Sequence, residues 1–235
     1  MTAGGSPNRS IERAARMLGL FVPDRPRLTL AELSELLGSS RATTHRYATA
    51  LRRAGLLRYE EHGRAYALGP RIVDLAAGAV AGLEVVRIAD RHLDRLSKEA
   101  QETAILAIWD GESQVVVSQV ESPRKAHVVL PIGVRMPPTS AAGKVLCAFR
   151  PGSAATTFAE RELLQVRATR IATGAEVAPG ICAVASPVLQ GRVLAATIAL
   201  IGTVRLTQTE SIRTLAGLLR GTASRISADL EACSP

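Results

Sequence analysis

Apolar and polar positions along the first seventy residues follow helical spacing three times and then switch to alternation. In "SIERAARMLGLF", Ile11, Ala14, Ala15, Leu18 and Phe21 share one face of a predicted helix, with Ser10 as its N-cap and "PDRPR" as its end. Thr29, with Glu32 three residues later, reads as a capping box that opens a second, short helix facing Leu30, Leu33, Leu36 and Leu37 inward; Gly38 closes it. Only Ser39 and Ser40 precede a third helix. There Thr43, Tyr47, Ala50, Leu51 and Ala54 form the expected buried stripe, while Arg41, Thr44, His45, Ala48 and Arg52 share the solvent face, flanked by Arg46 and Arg53. After Gly55, "LLRYEEHGRAYALG" alternates on both sides of Glu61, His62, Gly63 and Arg64, the pattern of a hairpin.

Helix, tight turn, helix and hairpin predict a winged helix-turn-helix over residues 8–69, although a plain helical hairpin has the same outline as far as Gly55. Residues 70–82 are Ala-rich and read as a linker helix, with Gly78 and Gly82 as pivots. Residues 83–235 begin with an amphipathic helix, followed by a strand 103–109, an Asp110–Gly111 turn, a strand 114–121 and a third strand near 126–130. A loop leads to a helix around "AAGK", then strands 181–188 and 193–201 and an amphipathic helix 207–231. The fold class expected is α+β, a sheet flanked by helices behind the winged domain.

Composition narrows the partners. At 235 residues the chain suits two domains. It is 47% hydrophobic but only 3% aromatic, which argues against the stacking platforms of single-stranded RNA binders. The net charge is +8 and unevenly placed: from Arg41 to Arg71 there are seven arginines against Glu60 and Glu61. A polyanion such as double-stranded DNA feels such a local field, though a solvated arginine-rich face is the plainer alternative. Cys147, Cys182 and Cys233 are odd in number and far apart, so reduced thiols in the cytoplasm are expected rather than disulfides or structural zinc. No apolar run suits a signal peptide or a membrane span.

Candidate chemistry is sparse. "PPTSAAGKV" has the Gly-Lys of a phosphate loop, but Pro138 replaces its first glycine and Val145 its magnesium-binding hydroxyl. Ser140, Ala141, Ala142 and Gly143 read instead as a helix start with free N–H groups for a ligand carboxylate, or as a tight helix–sheet contact. Ser122 and Lys125 match a Ser-x-x-Lys pair outside its helical context. His45, His62, His92 and His127 show no metal spacing. Neither enzyme activity nor a metal or cofactor is expected. On the third helix, short donors near the N-terminus suit a major groove: Arg41, Thr44 and His45 for base edges, Ser39, Ser40, Arg46 and wing Arg64 for phosphate or minor groove.

Taken together, "SIERAARMLGLF", "LTLAELSELLGSSRATTHRYATALRRAGLLR" and "AYALGPRIVDLA" resemble the DNA-binding domain of IclR-type bacterial transcriptional regulators. The resemblance covers residues 10 to about 76, and the family's recognition-helix pattern falls on Thr43, Thr44, His45, Arg46 and Gly55, with Arg58 also on the DNA-facing wing. It implies a sequence-specific regulator, by family habit a repressor, whose second domain is an α/β GAF/profilin-like effector-binding and oligomerisation module. One recognition helix reads few base pairs, so a homodimer or homotetramer on a near-palindromic operator is expected. The implied effector contacts are Met136, Ser140, Ala141, Ala142, Gly180, Cys182, Ala199 and Ile201. Ala199 and Ile201 stand where family members often have serines, which favours a small organic acid with a larger apolar body, such as an aromatic acid. The stretch around 150–167 is shorter than the family's. The competing expectation is a ligand-binding assembly protein whose N-terminal domain makes protein contacts.

Overall fold

The computed structural model describes residues 8–150, 158–175, 180–203 and 209–233. The chain falls into two compact units, 1–79 and 80–235.

In the first unit, α1 (Arg9–Leu18), β1 (Leu28–Thr29), α2 (Leu30–Leu37), α3 (Arg41–Arg53), β2 (Leu57–Glu60) and β3 (Ala65–Leu68) follow in order, and α4 (Arg71–Ala81) crosses the boundary. The capping box holds: Thr29 Oγ1 accepts from the Glu32 N–H, and Glu32 Oε2 accepts from the Thr29 N–H at 2.7 Å. Gly38 closes α2 at φ 59°, a left-handed position suited to glycine. The hairpin pairs Leu57 with Leu68 through Glu60 with Ala65, and the two-residue β1, not expected from sequence, adds to β3. Gly55 and Gly69 make the hairpin's base possible. Gly55 has φ 74°, and a Cβ on Gly69 would lie 2.1 Å from the Gly55 carbonyl oxygen.

The small core contains Met17, Phe21, Leu28, Leu33, Ala48, Leu51, Leu57 and Tyr66. Two helix faces differ from expectation. On α1, Asn8 rather than Ser10 is the cap, Ile11 and Ala15 are exposed, and Met17 is buried. On α3 the buried stripe is Thr44, Ala48 and Leu51, while Ala50 and Ala54 are exposed. Alanine is nearly silent in a hydrophobicity pattern, so the large Leu51 sets the helix rotation and its i−3 and i−7 neighbours follow it inward. On α2, Leu36 is 40% exposed rather than buried. The helix α4 runs unbroken through Gly78, which is therefore no pivot.

Among the described residues, the second unit is built on a six-stranded antiparallel sheet, in spatial order β6-β5-β4-β9-β8-β7. Its strands are β4 (Thr103–Trp109), β5 (Gln114–Val120), β6 (Arg135–Met136), β7 (Ala172–Ala175), β8 (Ile181–Gln190) and β9 (Val193–Thr203). Helices α5 (Glu84–Ala100) and α8 (Thr209–Cys233) cover one face, with Leu93, Leu106, Ile198, Leu200, Leu219 and Ile226 buried between. Each such side chain contributes roughly 1.5–3 kcal/mol. Helices α6 (Ala141–Phe149) and α7 (Glu160–Thr169) cover the other face.

The strand expected near 126–130 does not form. Side chains take the place of its ladder: Thr103 Oγ1 donates to the Val128 carbonyl at 2.6 Å, and Gln119 Oε1 accepts from the Leu130 N–H at 2.8 Å. The edge strand β7 is not foreseen from sequence because "ATGA" carries little β-propensity. Its Gly174 is needed there, since a Cβ would lie 2.8 Å from the Ala141 nitrogen. In the shortened stretch, α7 begins at Glu160; residues 151–157 lie outside the described residues.

Candidate nucleic-acid interface and ligand site

The start of α3 is fixed by a hydroxyl network. Ser40 caps the helix, its Oγ accepting from the Thr43 N–H at 3.3 Å and donating to Thr43 Oγ1 at 3.0 Å. Thr44 Oγ1 donates to the Ser40 carbonyl at 3.1 Å and lies 2.8 Å from Ser39 Oγ. Thr44 is wholly buried, which corrects its expected place at a base edge: its hydroxyl is spent holding the turn between α2 and α3. Arg41, His45, Arg46 and Arg52 remain on the exposed side. Arg46 also lies 5.9 Å from the Tyr47 ring centroid, within cation–π reach.

Sequence reading misses Arg13, whose guanidinium acts on the Tyr47 phenol of α3. The Tyr47 phenol is held below its ordinary value first by its bond to Ser10 and also by Arg13. The available signal is the recurrence of Arg9, Arg13 and Arg16 along α1.

On the wing, Arg58 is tied to Glu60 at 3.0 Å, and Arg27 pairs with the same carboxylate. These guanidiniums, Arg27 foremost, hold Glu60 below the usual carboxylate range. Arg58 is thus partly neutralised by its own strand neighbour. Arg64 is exposed in the hairpin turn at φ 46°.

On the α6 face of the sheet, strand alternation decides which expected effector residues meet. Ala185 pairs with Ala199 and Ala183 with Ile201, so these four point the same way, onto Ala141, Ala142 and Met136 in one buried cluster. Cys182 pairs with Gly202 and faces the other side of β8, which corrects its expected place; Ala183 stands where Cys182 was expected. Gly180 is exposed at φ 80° ahead of the strand. Ser140 is fully buried as the N-cap of α6, its Oγ accepting from the Gly143 N–H at 3.0 Å. Lys144 does not face this cluster freely: its Nζ donates to the Thr173 carbonyl at 3.2 Å and lies 4.8 Å from the Phe158 ring centroid.

Further along the same sheet face, Gln114 and Thr197 place polar atoms in an otherwise apolar layer. Gln114 Nε2 donates to Thr197 Oγ1 at 3.0 Å, and both residues are buried. Neither stands out in the sequence, where Thr197 sits inside an apolar run and Gln114 at the polar start of one. The nearby Cys147 thiol is pushed up by burial, away from the reactive thiolate.

A capped helix-turn-helix with a three-stranded wing, followed by an α/β domain with a helix-covered antiparallel sheet, defines a winged DNA-binding protein with a second, ligand-binding type of domain. Residues 10–61 match the IclR helix-turn-helix domain, and residues 77–173 match the bacterial transcriptional regulator IclR C-terminal domain. The HTH-type transcriptional regulator Rv1719 of Mycobacterium tuberculosis (strain ATCC 25618 / H37Rv) is 32% identical over 201 residues, which cover 77% of this chain and 76% of that protein. The chain belongs to the IclR family of transcriptional regulators.

The HTH-type transcriptional regulator XynR of Escherichia coli (strain K12) is 30% identical over 142 residues, 60% of this chain and 56% of XynR, so the match spans little more than half that relative's length. Both relatives are named as transcriptional regulators, not enzymes. Among solved structures, an IclR transcriptional regulator from Alicyclobacillus acidocaldarius superposes with a TM-score of 0.79 at 24% identity, covering 94% of this chain and 98% of that one. An IclR homolog from Microbacterium hydrocarbonoxydans, complexed with 4-hydroxybenzoate, gives 0.76 at 19%, covering 95% and 99%. Both share the fold.

Proposed function

We propose that the chain is a sequence-specific DNA-binding transcriptional regulator whose second domain responds to a small organic molecule. The observation that carries the reading is the face of α3: Arg41, His45 and Arg46 exposed at a capped N-terminal end, with Thr44, Ala48 and Leu51 anchoring the opposite side. That is the arrangement a major-groove helix needs, one side seated on its own domain and short-range donors on the other. In this reading Arg41 and His45 meet base edges, and Ser39, Ser40, Arg46 and Arg64 meet phosphate or minor groove. The protein acts as a repressor, as a homodimer or homotetramer on a near-palindromic site in the nucleoid. The 4-hydroxybenzoate bound by the Microbacterium relative supports a small aromatic acid as effector.

Binding of the purified chain to the intergenic DNA beside its own gene, against scrambled DNA over a salt series, tests this. A marked preference with a steep salt slope is expected. Arg41→Ala should weaken specific binding by about 1–3 kcal/mol, the discrimination carried by one guanidinium at a base edge. Equal affinity for scrambled DNA at every salt concentration, for operator fragments pooled from the flanking genes as well, overturns the reading.

A further inference from the structure

Beside Gln114 a narrow recess of about 10 Å³ opens under α6, lined by Gln114, Met136, Pro138, Gly143 and Leu146 with Ser113 at its rim. That volume is room for one water-sized group and far below what a whole ligand needs. Gln114 is 1% exposed and lines this recess, and its Oε1 has no partner among the described residues, while one N–H of its Nε2 is engaged by Thr197. A buried acceptor without a donor is costly, and the side chain gives up nothing by receiving one.

We propose that this recess is a subsite for the hydroxyl group of a small effector. The inference rests on the ligand-responsive reading above and adds what that reading lacks, the polar group by which the ligand is recognised. The chemistry follows from valence. The atom left without a partner is an acceptor, so the incoming group satisfies it by donating; a hydroxyl has a proton to give, whereas a ketone or a carboxylate has none. Met136, Pro138 and Leu146 meet the apolar carbon that bears the hydroxyl, and the rest of the ligand stays at the mouth, near Ser113 and Glu112.

Trp109 supplies the readout. It is the single tryptophan of the chain and the cross-strand partner of Gln114. Titrating the full-length protein with cyclohexanol should change Trp109 emission saturably. Cyclohexanone, with the same ring but no donor, should give no saturable change. Gln114→Leu should weaken the alcohol by about tenfold or more, the loss expected for one buried hydrogen bond. Thermal melts establish whether Gln114→Leu is folded; Ser113→Phe, which blocks the rim from outside the core, should abolish the response if it is not.

No saturable change with cyclohexanol, equal responses to alcohol and ketone, or an unchanged response in either folded variant overturns the proposal and leaves the recess to a resident water. Operator binding measured in the same preparation without alcohol keeps the two readings apart. If it is lost while the Trp109 response persists, the regulator reading falls and the subsite stands.

Discussion

Gly143 runs so close to Pro138 that a Cβ on it would lie 2.2 Å from the Pro138 carbonyl oxygen. The first turn of α6 can therefore lie against the loop that precedes it only without a side chain there. The adjoining alanines, Ala141 and Ala142, are small for the same reason and are buried against the sheet. Gly143→Ala should push the loop or the helix outward, costing about 1–3 kcal/mol as overpacked cores do. Thermal unfolding of the variant against the wild type measures it; an unchanged melting temperature would mean that the loop yields freely.

Thr44→Val keeps the shape of a buried side chain and removes a hydroxyl that bonds to Ser39 and Ser40. Stability should fall by about 1–3 kcal/mol, since Ser39 loses a partner in a half-buried turn. Base preference should stay as it is. His45→Ala should do the reverse, with melting unchanged and selectivity relaxed at one operator position. A selection of randomised duplexes read by sequencing, run beside melting curves, separates the two. A specificity change in Thr44→Val would return that residue to the interface.

Arg64 occupies a left-handed backbone position at φ 46°, which costs an L-residue roughly 1–2 kcal/mol relative to glycine. Arg64→Gly should raise stability by about 1 kcal/mol. It should weaken DNA binding across all sequences and lower the salt slope by about one phosphate contact. Paired chemical denaturation and a binding salt series report both signs, and a variant that loses stability and keeps its affinity would contradict both halves of the claim.

Asp229 joins α8 to α5 by accepting from His92 Nε2 at 2.8 Å and Arg91 Nη2 at 2.6 Å on one oxygen. Those two partners, His92 foremost, hold its carboxyl below the ordinary aspartate value of 3.8. A depressed carboxylate stabilises the fold at pH above its unfolded value, and the contribution disappears as pH falls through the lower folded one. The gap in melting temperature between wild type and Asp229→Asn should therefore be open well above pH 4 and close as pH falls below about 4. A gap that widens on acidification would reverse the assignment.

What the sequence discloses, and what it withholds, follows from how strongly each residue type constrains its surroundings. Thr29 with Glu32 and Gly38 marks both ends of α2 because capping chemistry is local and few residues perform it. Strand 103–109 agrees with β4 to the residue, its short apolar run bounded by Gln101 and the Asp110 turn. The rotation of α3 differs from expectation because Thr44 and Ala48 carry almost no hydrophobic signal, and burial there follows from packing of Leu51. Cys182 is expected one residue out of phase on β8, and with a period of two that error moves a side chain through the sheet. The Gln114–Thr197 pair joins residues 83 positions apart and has no local signature at all.

The meeting of Gly55 and Gly69 bears on how the winged unit would measure a duplex. Gly55 follows the last turn of α3, Gly69 follows β3, and the Gly69 N–H donates to the Leu56 carbonyl at 2.8 Å, with no space between the two backbones. Recognition helix and hairpin are thereby clamped at a common root, and a tilt of one carries the other with it. A domain built this way works as a caliper with fixed jaws. On the DNA-binding reading proposed above, where groove width departs from that setting the DNA rather than the protein bends, and sequences that bend cheaply are favoured at base pairs that no side chain touches.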